Sequence, residues 1–437
     1  MSHILRKLRY NKIFFAMLIL CAIMLPSIIY KTSESDRIAI TVMLAIDKTE
    51  NNEVELSIMY LTPQSSNDVN KSYTIATTIA ETVENAISEI QLLIGKEVGL
   101  SHTQAIIFST KIAEDNPLKY FDVFTRTNRL TTNALIILSE SPKDLLTTHL
   151  EQSTKQSVSL ISILEYNRKN SFVQNMNLEQ FYSEYFDESG ISLVPIINVE
   201  DNSDSSGQED QSGGGGSKNS AENNEKSANS ASGNEEQSSS SQSKEGTESA
   251  QGAADKEINN TGDIAVFEKG KLRRIIKKDD VSILNLLSGE TEKSFIKIEN
   301  VTNKFIKNAD LYIGVRKKII TTNCDFVNGY PVYTVNLSIA CQLNEIIADE
   351  YTLNSISVVD SQIGEITKSA IRDKIQEDYS KLINIAKEEN IDIFTINKNF
   401  HRLWTKEWAE YLLQLDTDDN FMQKVLFLIN VDVIDNG

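Results

Sequence analysis

The stretch IFFAMLILCAIMLPSIIY, residues 13–30, contains no charged side chain and follows four basic residues between Arg6 and Lys12. A helix needs roughly 20 apolar residues to cross a hydrocarbon layer about 30 Å thick, and this run is close to that length. Basic residues before such a run stay on the cytoplasmic side of the membrane. The sequence therefore predicts a cytoplasmic basic tail at residues 1–12, a transmembrane anchor or signal segment at residues 13–30, and export of the rest of the chain.

Two other fates of this apolar segment remain open. A cleaved signal peptide has a shorter apolar core and a small-x-small cleavage site, and the candidate triplet that starts at Ser33 lies beyond the bulky Tyr30. A bacterial lipoprotein carries its acylated cysteine after a small residue at the end of the run, whereas Cys21 lies in the middle and follows Leu20. The pattern favours a retained anchor, with cleavage or lipidation at Cys21 as the alternatives.

The composition is that of an acidic protein with ordinary globular content. The 437 residues leave room for two or three domains after the anchor. A hydrophobic content of 40% and a charged content of 24% are typical of folded proteins. The formal net charge of -19 argues against nucleic acid and against an anionic lipid surface as partners, because both would repel the chain.

The segment after the anchor predicts an N-terminal α+β domain over residues 31–150. Apolar residues alternate over Ile38–Leu44 and Val54–Tyr60, on either side of a polar loop, which predicts a β-hairpin. The segment Thr74–Ile94 places apolar residues at three- and four-residue steps, which predicts one amphipathic helix that ends at Gly95.

Short apolar runs then alternate with segments of helical spacing. Ala105–Phe108 and Ala134–Leu138 predict buried strands, and Leu118–Phe124 predicts a helix. A Ser-Pro pair predicts a further helix that begins at Pro142. We expect a mixed sheet covered by helices, followed by a helical middle domain at residues 151–200.

Residues 201–260 differ completely in composition from the rest of the chain. They consist mainly of Ser, Asn, Gly, Glu, Gln and Lys, and no large apolar residue occurs before Ile258. Such a segment cannot bury enough apolar surface to offset its ordering entropy. The sequence therefore predicts a disordered low-complexity insertion.

Residues 261–437 predict a C-terminal α+β domain. A Lys-Gly pair at 269–270 and an Asn-Gly pair at 328–329 are typical hairpin turns between apolar strands. Helical spacing over Ile366–Glu388 predicts a long helix, and strict alternation over Val425–Val433 predicts a final strand. The predicted fold class is α+β, with an N-terminal membrane anchor followed by three mixed sheet-and-helix domains and a disordered insertion.

No catalytic or metal-binding motif is present in the sequence. His102, His149 and His401 are scattered along the chain, and the spacings typical of zinc ligands or of a nucleophile elbow do not occur. We therefore predict no catalytic, cofactor-binding or metal-binding residues. Cys21 is the one candidate for modification, by lipidation.

Two other features allow more than one interpretation. Six basic residues lie between Lys269 and Lys278; they could face lipid headgroups or an acidic partner, or they could protect the edge of a hairpin by their charge. Cys324 and Cys341 allow one disulfide bond, or they are two small buried residues on strands.

Four groups of residues carry a resemblance to a known family. They are SESDRIAITVMLAIDK (33–48), GKEVGLSHTQAIIFSTKIAED (95–115), RTNRLTTNALIILSESPKDLL (126–146), and DIAVFEKGKLRRII with LLSGE (263–276 and 286–290). Their order and content resemble the Ger(x)C family, the C subunits of nutrient germinant receptors in endospore-forming bacteria. The likeness covers most of the chain beyond the anchor.

The sequence also departs from the family pattern. Family members open the mature chain with a lipobox followed by Cys-Trp-Asp, whereas Lys31–Arg37 contains neither cysteine nor tryptophan. Asp392 and Phe394 match an Asp-x-Phe motif without the glycine that follows it, and Trp404 and Trp408 match paired tryptophans with altered spacing. The first departure favours the apolar segment over a lipid as the anchor.

The resemblance implies a three-domain, non-enzymatic receptor subunit on the outer face of the spore inner membrane, needed for triggering germination. It implies the A and B subunits as membrane-protein partners, contact with membrane lipid, no nucleic acid, and a nutrient ligand that stays unassigned. The residues by themselves indicate export, tethering and mixed α/β domains. They leave two other classes open, an exported membrane-tethered hydrolase and a solute-binding protein.

Overall fold

The computed structural model describes residues 37–62, 72–127, 130–156, 160–162, 164, 175–201, 256–287, 294–302, 306–348, 350–351, 365–415 and 421–435. The predicted anchor at 13–30, Cys21, and most of the predicted insertion lie outside the described residues. Within the described part, no helix is both long enough and apolar enough to cross a membrane. Sheets and helices are mixed along the chain, which confirms the predicted α+β class.

A seven-stranded mixed sheet forms the first part of the structure. Its strands are β1 (Ile38–Lys48), β2 (Val54–Thr62), β3 (Ser72–Ala80), β4 (Glu97–Gly99), β5 (Ala105–Ser109), β6 (Leu135–Ser139) and β7 (Met176–Asn177). The order across the sheet is β3-β2-β1-β5-β6-β7, with β4 paired beside the first residues of β1. The predicted hairpin of β1 and β2 is confirmed, and β5 and β6 continue the sheet in parallel to β1.

Helices cover both faces of this sheet. They are α1 (Val83–Ile94), α2 (Thr110–Asp115), α3 (Pro117–Thr127), α4 (Pro142–Gln156) and α5 (Leu178–Phe186). On one face, Leu44 and Phe108 lie in a core with residues of α1, α2, α3 and α5, and on the other, Met43 and Ile107 pack with residues of α4. Successive strand residues therefore enter different cores, as expected for parallel strands buried on both sides.

The single helix predicted over Thr74–Ile94 is wrong in its first half. Residues Ser72–Ala80 form β3, which pairs antiparallel with β2 along its whole length. This half is rich in β-branched threonine and isoleucine, which favour strands, and its apolar residues fit a strand as well as a helix. Helix α1 begins only after Thr82, whose hydroxyl accepts a hydrogen bond from the backbone N–H of Asn85 at 3.2 Å.

A small sheet stands between the first part of the structure and the rest. This region has five strands, β8 (Ile191–Pro195), β9 (Asn198–Asp201), β10 (Lys256–Asn259), β11 (Ile264–Glu268) and β12 (Lys271–Ile276). Strands β9 and β10 form a separate pair. The three strands β12-β11-β8 form one antiparallel sheet. Along β11, Ala265 and Phe267 enter the core of the first sheet, whereas Ile264 and Val266 enter the core of the C-terminal part. One strand thus supplies side chains to two separate cores.

The two ends of the predicted insertion lie side by side. Strands β9 and β10 pair antiparallel, from Asn198 opposite Asn259 to Asp201 opposite Lys256. The chain leaves and re-enters the described structure at neighbouring positions. The pairing of β9 with β10 therefore brings the two residues that flank the segment 202–255 side by side.

The C-terminal part contains a four-stranded sheet and a helical layer. Its elements are α6 (Lys278–Leu287), β13 (Ser294–Val301), β14 (Ile306–Lys307), β15 (Ala309–Val327), β16 (Tyr330–Ile347), β17 (Glu350–Tyr351), α7 (Glu365–Glu388), α8 (Ile396–Leu403), α9 (Thr405–Leu413), α10 (Phe421–Lys424) and β18 (Leu426–Asp435). The order across the sheet is β13-β15-β16-β18.

Strands β15 and β16 form the hairpin that the Asn-Gly pair predicted. It closes through Asn328 and Gly329, which have φ of 53° and 82°, as a two-residue type I′ turn requires. The final strand β18 runs parallel to β16, from Val332 opposite Leu426 to Cys341 opposite Asp435. Along β18, apolar side chains on the helix-covered face of the sheet alternate with side chains on the open face, which explains the sequence pattern that predicted this strand.

The helical layer covers one face of the C-terminal sheet. Helix α7 confirms the predicted long helix and buries Ile371, Ile375 and Tyr379 along one side. These residues pack with Val335 and Leu337 of β16 in the C-terminal core. The burial of this stripe, rather than helix propensity, holds α7 on the sheet.

Candidate functional site

A cavity of about 780 Å³ lies at the edge of the first sheet where β5 and β6 begin. The backbone around it is held by sheet-like hydrogen bonds, because the N–H of Gln104 donates to the carbonyl of Val42 and the N–H of Leu135 donates to the carbonyl of Gln104, both at 2.8 Å. The N–H of Leu178 donates to the carbonyl of Ala134 at 2.9 Å, which fixes the start of α5 to the same edge. We call this space the polar cavity.

The wall formed by α5 is fixed by a capping box. The side-chain oxygen of Asn177 accepts from the N–H of Gln180 at 2.8 Å, and the side-chain oxygen of Gln180 accepts from the N–H of Asn177 at 3.0 Å. Both amide oxygens are therefore occupied by the capping box, on two residues that line the cavity.

The remaining described lining is mostly uncharged and polar. It consists of His102, Thr103, Gln104, Thr131, Asn133, Leu135, Ile161 and Asn175. His102, Gln104 and Asn133 are exposed at the rim, whereas Thr103 is 1% exposed. Apart from His102, no described residue of the lining carries an ionisable side chain.

Two polar atoms of residues in this lining are buried without a hydrogen-bond partner among the described residues. They are Oγ1 of Thr103 and Oδ1 of Asn175. A buried polar atom without a partner costs about 1–3 kcal/mol relative to one that is satisfied.

The cavity can supply hydrogen bonds and apolar contact. Hydroxyl and amide groups dominate the described lining, and Leu135 and Ile161 add an apolar patch. The described lining contains no carboxylate, lysine or cysteine, and no group of three or more potential metal ligands occurs among the described residues. The arrangement is suited to binding a small polar molecule.

Sequence reasoning missed this cavity. Two of the stretches that carry the family resemblance meet there, since His102 and Asn133 lie just before β5 and β6. The one sequence feature that could have indicated the cavity is the presence of Thr and Asn residues directly before two buried strands. Only the pairing of β5 with β6 shows that these two loops are neighbours.

The other two histidines that the sequence singled out are separated from the cavity lining. His149 is 4% exposed on α4, and its burial lowers the pKa of the imidazole to about 4. Nδ1 of His401 lies 2.7 Å from a carboxylate oxygen of Glu188. The structure therefore does not bring the three histidines together in one site.

Most of the basic cluster is engaged within the chain. Lys269 donates to the carbonyl oxygen of Asp187 at 2.5 Å, and Arg274 lies 2.5 Å from Glu389. Lys277 lies 2.8 Å from Asp263. These contacts support the interpretation in which charge protects a hairpin edge, since β12 is an edge strand of its sheet.

Cys324 and Cys341 are both free and buried. Cys324 lies opposite Tyr333 on the hairpin, whereas Cys341 lies opposite Val315, so several residue pairs separate the two thiols along the strands. Burial raises the pKa of the Cys324 thiol to about 11 and that of the Cys341 thiol to about 12. Both behave as small apolar residues of the C-terminal core.

The residues near the C-terminus that match the family motif have structural contacts. Asp392 accepts hydrogen bonds from the N–H groups of Ile396 at 2.7 Å and Asn397 at 2.9 Å, so its carboxylate caps the start of α8. The ring of Phe394 lies 5.8 Å from that of Tyr379 and 6.0 Å from that of Tyr333. The motif therefore joins α8 to the core between α7 and β16.

The chain matches two family models in tandem. The family described as "Spore germination protein N-terminal domain" matches residues 31–199, and the family described as "Spore germination B3/ GerAC like, C-terminal" matches residues 262–433. Together the two matches cover most of the chain on either side of the predicted insertion. They define the chain as a spore germination protein. More narrowly, the chain belongs to the Ger(x)C family, as the resemblance implied.

One solved structure and the curated proteins complete the comparison. The crystal structure of the GerBC protein is similar to this chain, with 12% sequence identity, coverage of 90% of this chain and 96% of that chain, and a TM-score of 0.44. The curated proteins gave no match.

Proposed function

We propose that this chain is the C subunit of a nutrient germinant receptor and that it acts there without catalysing a reaction. The observation that carries the proposal is the pair of family matches over residues 31–199 and 262–433. The matched family is not a known enzyme family. The A and B subunits of the receptor are then its expected membrane-protein partners.

We also propose that residues 13–30 remain as a membrane anchor and hold the protein on the outer face of the spore inner membrane. The basic residues before this segment support the orientation. The linker 31–37 spans at most about 25 Å when fully extended. Arg37, where the described structure begins, would then lie close to the lipid surface.

This tether makes a specific part of the first sheet face the membrane. Ile38 pairs with Glu97 of β4, and Leu92 precedes Glu97 by five residues, a distance of at most about 19 Å. Leu92 and Leu93, near the end of α1, are 84% and 68% exposed. We expect these two leucines to contact lipid.

A dye attached to the protein tests this orientation. In a Cys21→Ser background, we would place an environment-sensitive dye at Leu92→Cys and, as the control, at Leu413→Cys, which replaces a leucine of matched exposure at 85%. In liposomes the emission at position 92 should shift to the blue and that at position 413 should stay as in water. Equal emission at the two positions would contradict the orientation.

The same preparation tests the anchor itself. Cys21→Ser should leave the protein in the membrane fraction after washing with high salt and with carbonate, because the apolar segment and not an acyl chain would hold it. Release of this variant, with retention of the unaltered protein, would instead assign the anchor to lipidation at Cys21.

Germination of the host's spores tests the proposed role directly. Deleting the gene should abolish the response to the nutrient that its receptor senses, and expression of the full chain should restore it. An unchanged response in a strain without any other receptor for that nutrient would overturn the proposal. Co-purification of the tagged chain from spore membranes should recover the A and B subunits, and their absence would contradict the proposed assembly.

A further inference from the structure

Strand β18 forms one edge of the C-terminal sheet. On one side it pairs with β16 over ten residue pairs without a register shift, and no described strand pairs with its other side. The backbone N–H and C=O groups that point away from β16 therefore have no partner strand in the described part of the chain. Such a row of backbone groups can pair with a strand of another chain.

This edge lacks the features that usually protect an edge strand from pairing. The edge strand β12 carries three basic residues, and the edge strand β13 carries Lys297 and has a register shift against β15 between Ile298 and Val301. Strand β18 is longer than either and contains no proline, lysine or arginine. Its composition therefore permits pairing along its whole length.

The polarity of β18 is symmetric about Val431. On the helix-covered face, Val431 lies between the apolar Ile429 and Val433. On the open face, four residues follow one another as apolar, polar, polar and apolar: Leu428, Asn430, Asp432 and Ile434. A strand with the same pattern in both directions complements an antiparallel copy of itself, which is the arrangement that a two-fold axis produces.

One antiparallel register matches these side chains. With Val431 opposite Val431 of a second copy, each Asn430 lies opposite an Asp432, so that an amide can donate to a carboxylate. Leu428 and Ile434, which are 53% and 45% exposed, then lie opposite each other and leave water. A register centred on Asn430 would instead place Asp432 opposite Leu428, and one centred on Asp432 would place two carboxylates opposite each other.

We propose that β18 pairs antiparallel with β18 of a second copy of this chain, centred on Val431. The two four-stranded sheets then form one sheet of eight strands, with both helical layers on the same side. The net charge of -19 repels two copies at a distance, but this repulsion is screened beyond about 8 Å at physiological salt. The inference goes beyond the proposed receptor role, and its failure would leave that role untouched.

Disulfide formation between copies tests the register. In a Cys21→Ser background, Val431→Cys should give a disulfide-linked dimer on mild oxidation, because directly opposite Cα atoms of antiparallel strands lie about 4.5–5.5 Å apart. Leu428→Cys is the control. It lies on the same strand and is more exposed, but in this register it is about 20 Å along the strand from its own copy. It should therefore not link to itself.

A mixture of two variants tests the register a second time. Chains with Leu428→Cys and chains with Ile434→Cys should link to each other when mixed, although neither should link to itself. Absence of the dimer in Val431→Cys, equal linking in Leu428→Cys, or no linking in the mixture would overturn the proposal.

Sedimentation of the full chain in density-matched detergent measures the association itself. The unaltered chain should form a dimer whose fraction rises with concentration. Asn430→Asp places like charges opposite each other on both sides of the axis and should weaken the dimer by at least about tenfold. The double variant Asn430→Asp/Asp432→Asn has the composition of the unaltered chain and restores the amide–carboxylate pairs, so its dimer should return.

Asn323→Asp serves as the matched control for charge. Asn323 is exposed on β15, opposite Thr334 of β16 and away from the edge, so this variant should form the dimer as the unaltered chain does. A double variant as weak as Asn430→Asp, or an equal loss in Asn323→Asp, would contradict the pairing. A chain that stays monomeric at all concentrations would leave the edge to a strand of a different protein and would overturn the proposal.

Discussion

Both tryptophans of the chain belong to one aromatic cluster in the C-terminal part. The ring of Trp408 stacks on that of Phe400 with 4.8 Å between centroids and 23° between planes, and its Nε1 donates to Oδ1 of Asn397 at 2.8 Å. Nε1 of Trp404 donates to the carbonyl of Cys324 at 2.6 Å. The two tryptophans of the pair thus have different structural roles: Trp408 fills the core, and Trp404 forms a hydrogen bond to strand β15.

These different roles predict that substitutions of the two tryptophans lower the free energy of unfolding by different amounts. Trp408→Ala should lower the free energy of unfolding by about 3–5 kcal/mol, because it leaves a large hole in a packed core. Trp404→Phe should cost only about 1–2 kcal/mol, because it removes one hydrogen bond and keeps an aromatic ring. Urea unfolding followed by far-UV circular dichroism measures both values. A larger loss in Trp404→Phe than in Trp408→Ala would contradict the assignment.

Asp392 makes the stability of the chain depend on pH. Burial raises the pKa of its carboxyl group to about 6, despite two backbone N–H groups that favour the charged form. The folded chain therefore holds the proton more tightly than the unfolded chain, whose aspartate has a pKa of about 3.9. The resulting stabilisation is present below about pH 4 and is lost as the pH rises through about 6.

Asp392→Asn removes this dependence. The difference in unfolding free energy between the unaltered chain and the variant should be larger at pH 4 than at pH 7, by about 2 kcal/mol. Urea unfolding at the two pH values gives the difference directly. A difference that is equal at both pH values, or larger at pH 7, would show that burial does not raise the pKa of Asp392.

At the level of elements, β9 and β10 explain how the fold accommodates the predicted insertion. Because Asp201 lies opposite Lys256, a two-residue turn can join the strands in place of residues 202–255. Replacing this segment by Asn-Gly should leave the fold intact and raise the free energy of unfolding by about 2–3 kcal/mol, because closing a shorter loop costs less entropy. Thermal and urea unfolding of the two chains test this. A destabilised deletion variant would show that the segment contributes contacts to the fold.

The sequence was informative where one local pattern decides an element. Helix α7, the hairpin turn at 328–329 and the alternation of β18 were all predicted, because helical spacing, an Asn-Gly pair and period two each have one structural meaning. The segment Thr74–Ala80 fits both periods, and pairing with β2, which the sequence does not display, decides it.

Local sequence patterns could not predict the candidate site. The polar cavity arises where three segments meet, the loops before β5 and β6 and the start of α5. Each loop alone is a short polar connection of the kind found on any surface. The missing information is the order of strands in the sheet, which places these connections side by side.

At the level of the whole molecule, β11 ties the two family-matched regions into one structure. Phe267 is fully buried in the core of the first sheet, with its ring 5.5 Å from that of Phe181 and 6.0 Å from that of Phe108. Its neighbour Val266 is equally buried but belongs to the C-terminal core. Loss of either core would remove support from the same strand.

Phe267→Ala therefore tests whether the two regions unfold together. The only two tryptophans, Trp404 and Trp408, lie in the C-terminal part, whereas Phe267 packs in the first core. The substitution should lower stability by about 3–5 kcal/mol, and tryptophan fluorescence and circular dichroism should both shift to the same new midpoint. An unshifted fluorescence transition would show that the C-terminal part unfolds independently.

The parallel pairing of β18 with β16 also determines how the chain bears a pulling force. The two strands are aligned over ten consecutive residue pairs, from Val332–Leu426 to Cys341–Asp435. Tension applied along β18 loads the hydrogen bonds of this alignment in shear, so that they must break nearly together, whereas a sideways pull would peel them apart one by one. The last strand is therefore a mechanically resistant attachment, able to transmit tension to the middle of the sheet before it detaches.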